Sequence, residues 1–249
     1  MDRPQNKDGI IRLGTVDSVL TAARQCAQLG CLDPFDSVTA SAQTAGRGQY
    51  GRSWQSPAGN IYAAIRLPKV TPFSGTAAAC AVSAVLADIL ADEGWDVRIK
   101  WPNDLAVCRD GVWYKAGGIL LEERGDLLAA GIGINLTAAP AAHELREGAA
   151  LPAAALADCA GPAVMPSADA LWTKMSARFR ALFLPDFSYS WRRMARSRLL
   201  WIGERVRLDF SDGAYAFGLL KDIGPEGDLI LQNGTGTHSY LEGSLSRLA

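Results

Sequence analysis

Between residues 44 and 60 the chain packs four glycines, two arginines and a proline into Thr44-Ala-Gly-Arg-Gly-Gln-Tyr-Gly-Arg-Ser-Trp-Gln-Ser-Pro-Ala-Gly-Asn60. Apolar, strand-like runs flank this segment, so it reads as a loop between two strands of one sheet. Gly46, Gly48 and Gly51 can take positive φ without steric cost and leave backbone N–H groups uncovered. Successive uncovered N–H groups form a concave anion site, and Arg47 and Arg52 add guanidinium forks suited to phosphate or carboxylate. Read alone, the same residues equally describe a flexible surface loop.

Three motifs downstream narrow the choice: Lys100-Trp-Pro-Asn-Asp104, Lys115-Ala-Gly-Gly-Ile-Leu120 and Gly131-Ile-Gly-Ile-Asn135. Together with Gly46 to Tyr62, and in this order, they resemble the biotin protein ligases. Four ordered motifs are far more specific than one glycine loop, and weaker similarity runs on to the C-terminus. The fold implied is α/β (α+β): a mixed sheet flanked by helices, forming a class II-synthetase-like ligase catalytic domain over residues 10–198. A small C-terminal β-barrel is expected over residues 199–249.

The local pattern agrees with such an organisation. Strands are expected at Ile10–Val16, Phe35–Ala42, Ile61–Leu67 and Val97–Lys100, and a meander over Leu105–Val107, Val112–Glu122 and Leu127–Ile134. Asp17 or Ser18 is placed to cap a helix over Val19–Leu29. Phe73–Asp92 is apolar nearly all round, which predicts a helix buried against the sheet. Residues 138–163 are rich in alanine and proline and suit a linker, with a short helix at Ala154–Asp158. Leu171, Met175, Phe179 and Leu182 recur at helical spacing after Ser167, and Pro185 stops that helix. A basic helix over Ser188–Arg198 reads as a solvated face or a phosphate site. Beyond Leu199 short strands alternate with glycines.

Composition excludes several classes. The formal charge of −1 leaves no basic footprint for nucleic acid. The five cysteines are odd in number and lack metal or C-x-x-C spacing, and with only two histidines they argue against a zinc site or a disulfide framework. Thiols of this kind, and an N-terminus without an apolar signal core, point to the cytoplasm. No stretch is long enough to span a membrane. The first strand starts near Ile10, leaving no room for the N-terminal winged helix-turn-helix of those ligases that also repress transcription, so DNA binding is not expected. A homodimer is left open.

The chemistry follows from charge. Joining a carboxylic acid to ATP brings two anions together, which demands charge neutralisation and in-line positioning more than a side-chain nucleophile. No G-x-S-x-G or other hydrolase constellation is present. The resemblance implies ATP with Mg2+, biotin as substrate, and a biotin carboxyl carrier domain as acceptor. It assigns catalysis to Lys115, Arg47 and Arg52, with Lys115 contacting the acid's carboxylate and the adenylate phosphate. It places Ser18, Gln43 and the Gly46 backbone around the ureido ring of biotin, with Gly118, Gly131 and Gly133 lining the wall. The nucleotide falls to Arg47, Gln49, Trp54, Lys100, Asn103, Asp104 and Asn135, with Trp54 over the adenine and Asp104 also facing the magnesium. Without the resemblance, Lys115 and Lys100 read as solvated strand lysines, Asn103-Asp104 as an Asx turn and Trp54 as a core side chain.

Two positions depart from the family pattern. Asp17-Ser18-Val19-Leu20 stands where the family reads D-S-T-N, so Val19 lacks a hydroxyl. Gln49 stands where the family has the second arginine of G-R-G-R, which removes a charge from beside the adenylate phosphate. These departures keep two rivals in play: a ligase for lipoate or a medium-chain acid, and a non-catalytic ligand- or carrier-binding protein.

Overall fold

The structure, a computed structural model, describes residues 6, 8–73, 75–141, 151–182 and 191–248. Its centre is a seven-stranded sheet ordered β1-β2-β3-β7-β6-β5-β4. The strands are β1 (Ile10–Val16), β2 (Ser37–Gln43), β3 (Ile61–Leu67), β4 (Val97–Lys100), β5 (Asp104–Arg109), β6 (Val112–Arg124) and β7 (Leu127–Ile134). Only β1 and β2 run parallel; every other pairing is antiparallel.

Between β1 and β2 the chain crosses over through α1 (Val19–Gln28), as a parallel pair requires. Its buried residues Val19, Leu20, Ala22, Ala23 and Cys26 recur at helical spacing, which lays one stripe on the sheet. They share a core with Val38, Ala40, Tyr62, Ala64 and Ala129. The opposite face carries α2 (Ala77–Asp92), buried on nearly every side as its all-apolar sequence demands, and α3 (Ala168–Leu182). In α3 the Ser167 hydroxyl accepts from the Ala170 N–H at 3.2 Å, and Leu171, Met175 and Phe179 are fully buried. The expected stop at Pro185, the side chain of Leu182 and residues 188–190 of the basic helix lie outside the described residues. That helix, α4 (Trp191–Arg198), packs on α2 through Trp191 and Ala195. Arg192, Arg193 and Arg196 are exposed and Arg198 is half-buried; Arg192 donates to the Ile223 carbonyl, while Arg196 and Arg198 pair with Asp222 and Asp88. The Ala154–Asp158 helix shrinks to a 3-10 turn at Leu156–Asp158.

A second sheet follows, ordered β11-β10-β9-β8-β12, from β8 (Arg205–Asp209), β9 (Tyr215–Ile223), β10 (Leu229–Asn233), β11 (Gly236–Tyr240) and β12 (Ser244–Arg247). The expected barrel is corrected here. Among the described residues no pairing joins β11 to β12, so the five antiparallel strands form an open sheet. Its apolar face is buried instead by the first body: Val206, Leu208, Leu220, Leu229, Leu231 and Leu245 join the same core as α2 and α4. Polar pins hold the turn between β9 and β10 in place. Trp101 Nε1 donates to the Gly227 carbonyl at 2.7 Å, and Thr76 Oγ1 donates to the Glu226 carbonyl at 2.6 Å. Among the described residues no helix is long and apolar enough to cross a membrane, and the five cysteines are free thiols.

Candidate active site

On the α1 side of the large sheet a cavity of about 730 Å3 opens toward the second sheet. Its floor includes Gly133, Gly118 and Asp104, directly paired across β7, β6 and β5, and the same row of pairs runs on through Tyr62 of β3 to Ala40 of β2, five strands in all. The two glycines make the floor concave. A Cβ on Gly118 would meet Trp54 Cζ3 at 3.5 Å, Asp104 Oδ1 at 3.6 Å and Lys115 Cε at 3.6 Å. A Cβ on Gly133 would stand 2.6 Å from Trp54 Cε2, a distance no side chain tolerates. Gly131 admits Leu20 of α1 in the same way, at 2.8 Å.

Lys115 reaches this floor because of a bulge. Along β6 side chains should alternate, which would put Lys115 and Gly118 on opposite faces. Opposite Leu105 and Ala106, however, the register skips Ala116, since Leu105 pairs with Gly117 and Ala106 with Lys115. The extra residue turns Lys115 onto the face of Gly118. The backbone of Lys115 then leaves β7 and pairs with the 152–154 segment, donating to Pro152 and accepting from Ala154. Its ammonium sits 2.6 Å from Asp104 Oδ1 and 5.6 Å from the Trp54 ring centre.

The glycine loop folds over this floor as a small hairpin. Trp54 N–H donates to Gly46 and Gly48 N–H to Arg52, with an Arg47–Ser53 bridge between them. Those two N–H groups and that of Arg52, which donates to Gln49, are used inside the loop and are not offered to an anion. Anion binding therefore rests on the side chains to a greater degree than the glycine content suggests. Of the three glycines expected at positive φ only Gly51 adopts it, joined by Tyr50 at 57°. Gly46 serves close approach instead, because its Cβ would lie 2.4 Å from the Trp54 carbonyl. Arg47 and Arg52 both line the cavity; Arg47 Nη2 pairs with Glu122 at 3.0 Å, and Arg52 lies over the Tyr50 ring at 5.2 Å. Trp54 Nε1 is buried and has no hydrogen-bond partner among the described residues.

The remaining expected residues gather around the same space. Ser18, Gln43, Gln49, Lys100, Asn103 and Asn135 all line it. Gln43 is held at both ends: Oε1 accepts from the Val19 N–H at 2.9 Å and Nε2 donates to Ser56 Oγ at 2.9 Å. Position 19 thus meets Gln43 through its backbone, which valine supplies as well as threonine would. Asn103 Nδ2 donates to the Ile119 carbonyl at 2.8 Å, so the amide also ties the turn after β4 to β6. Among the described residues no three His, Cys, Asp or Glu side chains cluster to cage a metal. Asp104, paired with Lys115, supplies one oxygen donor for a magnesium ion whose other ligands would be phosphate oxygens and water.

Residues 32–137 match the biotin/lipoate A/B protein ligase family. A biotin--[acetyl-CoA-carboxylase] ligase of Paracoccus denitrificans is 32% identical over 222 residues, covering 80% of this chain and 85% of that protein. The chain belongs to this family. The ligase of the same description from Mycobacterium tuberculosis is 30% identical over 211 residues, covering 79% of this chain and 73% of that one. The fold agrees with the biotin protein ligase from Aquifex aeolicus in complex with biotin and ATP, at a TM-score of 0.73 and 24% identity over 96% of this chain and 99% of that chain.

Two contributions to this ligase-family site escape sequence reading. Asp209, Phe210 and the Glu242–Ser244 segment of the second sheet form one lip of the cavity, although they lie 74 to 109 positions beyond the last motif residue, Asn135. Asn60 holds the loop that follows the lining residue Asn135: Oδ1 accepts from the N–H groups of Leu136, Thr137 and Ala138 at 2.9, 2.9 and 3.1 Å, and Nδ2 donates to the Ala138 carbonyl at 2.8 Å. The asparagine of Gly59-Asn60 thus shapes the loop after Asn135.

Proposed function

We propose that the chain is an ATP-dependent biotin–protein ligase, which forms biotinyl-5′-AMP and transfers biotin to a lysine of a biotin carboxyl carrier domain. The observation that carries this reading is the bulge at Ala116, which sets Lys115 beside Asp104 and Trp54 over the Gly118–Gly133 floor. A strand lysine with no role would not need its alternation broken. The relatives named above supply the substrate class.

In this reading biotin lies on the glycine floor, with Ser18, Gln43 and Gly46 near its ureido ring and Gly118, Gly131 and Gly133 beneath it. A carboxylate oxygen of biotin attacks the α-phosphorus of ATP, and the bond to pyrophosphate breaks. Lys115, with Arg47 and Arg52, neutralises the charge that builds between the two anions. Gln49, Trp54, Lys100, Asn103 and Asn135 hold the nucleotide, and Asp104 would be the carboxylate that holds a magnesium ion brought with ATP, which would supply further neutralisation of phosphate charge. In the second half the neutral amine of the carrier lysine attacks the acyl carbon, the C–N bond forms, AMP leaves, and the amine loses a proton. The five free thiols support a reducing, cytoplasmic setting.

Biotin-dependent exchange of labelled pyrophosphate into ATP tests the first half, with lipoate as the competing acid and calorimetric titration of each acid alongside. Exchange with biotin but not lipoate is expected. Exchange with lipoate alone would reassign the acid. Binding of biotin without exchange would make the chain a binding protein.

A further inference from the structure

Beside the cavity, one step past its lining residues along β6, stands a carboxylate that the reaction above does not use. Gly118, Leu120 and Glu122 of β6 share one face and pair with Gly133, Gly131 and Ala129 of β7. Gly118 and Leu120 line the cavity, and Glu122 is the next side chain in their row. Only 13% of that side chain is exposed, so its charge needs a partner. The partner is Arg47, whose Nη2 lies 3.0 Å from Glu122 Oε2, while Arg124 Nε stands 3.8 Å from Oε1.

Arg47 sits between Gly46 and Gly48, neither of which offers a side chain to brace it. Glu122 has two opposed effects on it. The carboxylate cancels part of the guanidinium charge, which weakens attraction to a phosphate. It also holds one edge of a planar fork, leaving the other donors of a five-donor group free to face the cavity that Arg47 lines. An unbraced arginine must freeze its rotamers when the anion arrives, and that ordering lowers affinity. Orientation is the larger effect in this loop. Position 49 brings no charge, and Arg52 leans over Tyr50, so recognition of a phosphate depends on where the Arg47 fork points.

We propose that Glu122 is a positioning residue, which holds Arg47 ready for the phosphate of the acyl-adenylate. The inference rests on the ligase reading. Its test uses the whole chain with Glu122→Ala, Glu122→Gln, Arg47→Ala and the double variant Glu122→Ala/Arg47→Ala. Three quantities are read: the release rate of biotinyl-adenylate formed in place, the affinity for biotin without ATP, and the melting temperature. Glu122→Ala should release adenylate about ten-fold faster, a factor that corresponds to about 1.4 kcal/mol, while biotin affinity and melting stay near wild type. The double variant should release it no faster than Arg47→Ala alone, since the two residues act through one contact. Glu122→Gln keeps the shape and an acceptor oxygen and should fall between; it carries the comparison if the alanine variant folds poorly. Unchanged release, slower release, or effects that multiply in the double variant would each overturn the inference. A wild type that makes no adenylate from biotin overturns the ligase reading and this inference together. A wild type that makes and keeps it, with Glu122 variants that do so equally well, overturns this inference alone.

Discussion

Replacing Asn60 by alanine removes four hydrogen bonds at once. Three are backbone N–H groups sharing one amide oxygen, at 2.9 to 3.1 Å, and the fourth is the donation to the Ala138 carbonyl at 2.8 Å. Their surroundings decide the cost. The Leu136 N–H is fully buried, so losing its acceptor costs about 2 kcal/mol of desolvation. The Thr137 and Ala138 groups are part-buried, and water that enters behind the missing side chain recovers some of their bonding, leaving about 0.5–1 kcal/mol for each contact. The sum is about 4 kcal/mol, which in a chain of this size lowers the melting point by about 8–16 °C. Asn60→Asp keeps the shared acceptor but turns its second oxygen toward the Ala138 carbonyl, so it should cost about half as much. Urea unfolding of wild type and both variants measures this directly. Asn60→Ala within about 1 kcal/mol of wild type would refute the reasoning, as would Asn60→Asp proving the worse of the two. Asn135 lines the cavity beside this loop, so Asn60→Ala should also weaken nucleotide binding in whatever fraction stays folded.

Lys115→Ala should lower biotin-dependent pyrophosphate exchange on the order of a hundred-fold or more. Stability should change by less than about 1 kcal/mol, because the lost ion pair with Asp104 is only part-buried; exchange at the wild-type rate would remove Lys115 from the mechanism. Gln49→Arg restores a charge beside the adenylate phosphate and should speed transfer to a cognate carrier about ten-fold while reducing labelling of a bystander protein. Equal selectivity before and after would mean that Arg47 and Arg52 already supply what is needed. Burial pushes the Tyr62 phenol up from 10.0 to about 12. The unfolded chain therefore loses this proton first, and stability falls as pH rises from about 10 toward 12. Tyr62→Phe lacks the bond to the Pro57 carbonyl but also lacks that slope. The stability gap between wild type and Tyr62→Phe should narrow between pH 9 and pH 11, and a gap independent of pH would count against the assignment.

Sequence alone determined the elements whose signal is local. The cap candidates Asp17 and Ser18 marked the start of α1, and the uninterrupted apolar run marked α2, because a helix's first N–H groups need a capping neighbour in the chain and an apolar surface must leave water wherever the chain goes. Ordered motifs likewise marked Lys115, Asp104, Trp54 and the glycine floor. Tertiary structure decided what depends on partners distant in the chain. Whether β11 meets β12 depends on how the small sheet is covered, and it stays open because α2 and α4 bury its apolar face. β12 is not legible in the sequence, since Ser244–Arg247 buries only Leu245 and carries too little alternation to read as a strand. The bulge at Ala116 exists only as a mismatch between β5 and β6, so no property of Lys115-Ala-Gly-Gly by itself says which face the lysine takes. The pairing of Arg47 with Glu122 was invisible for the same reason. An ion pair between residues seventy-five positions apart is set by strand register and loop closure, which the two side chains do not control.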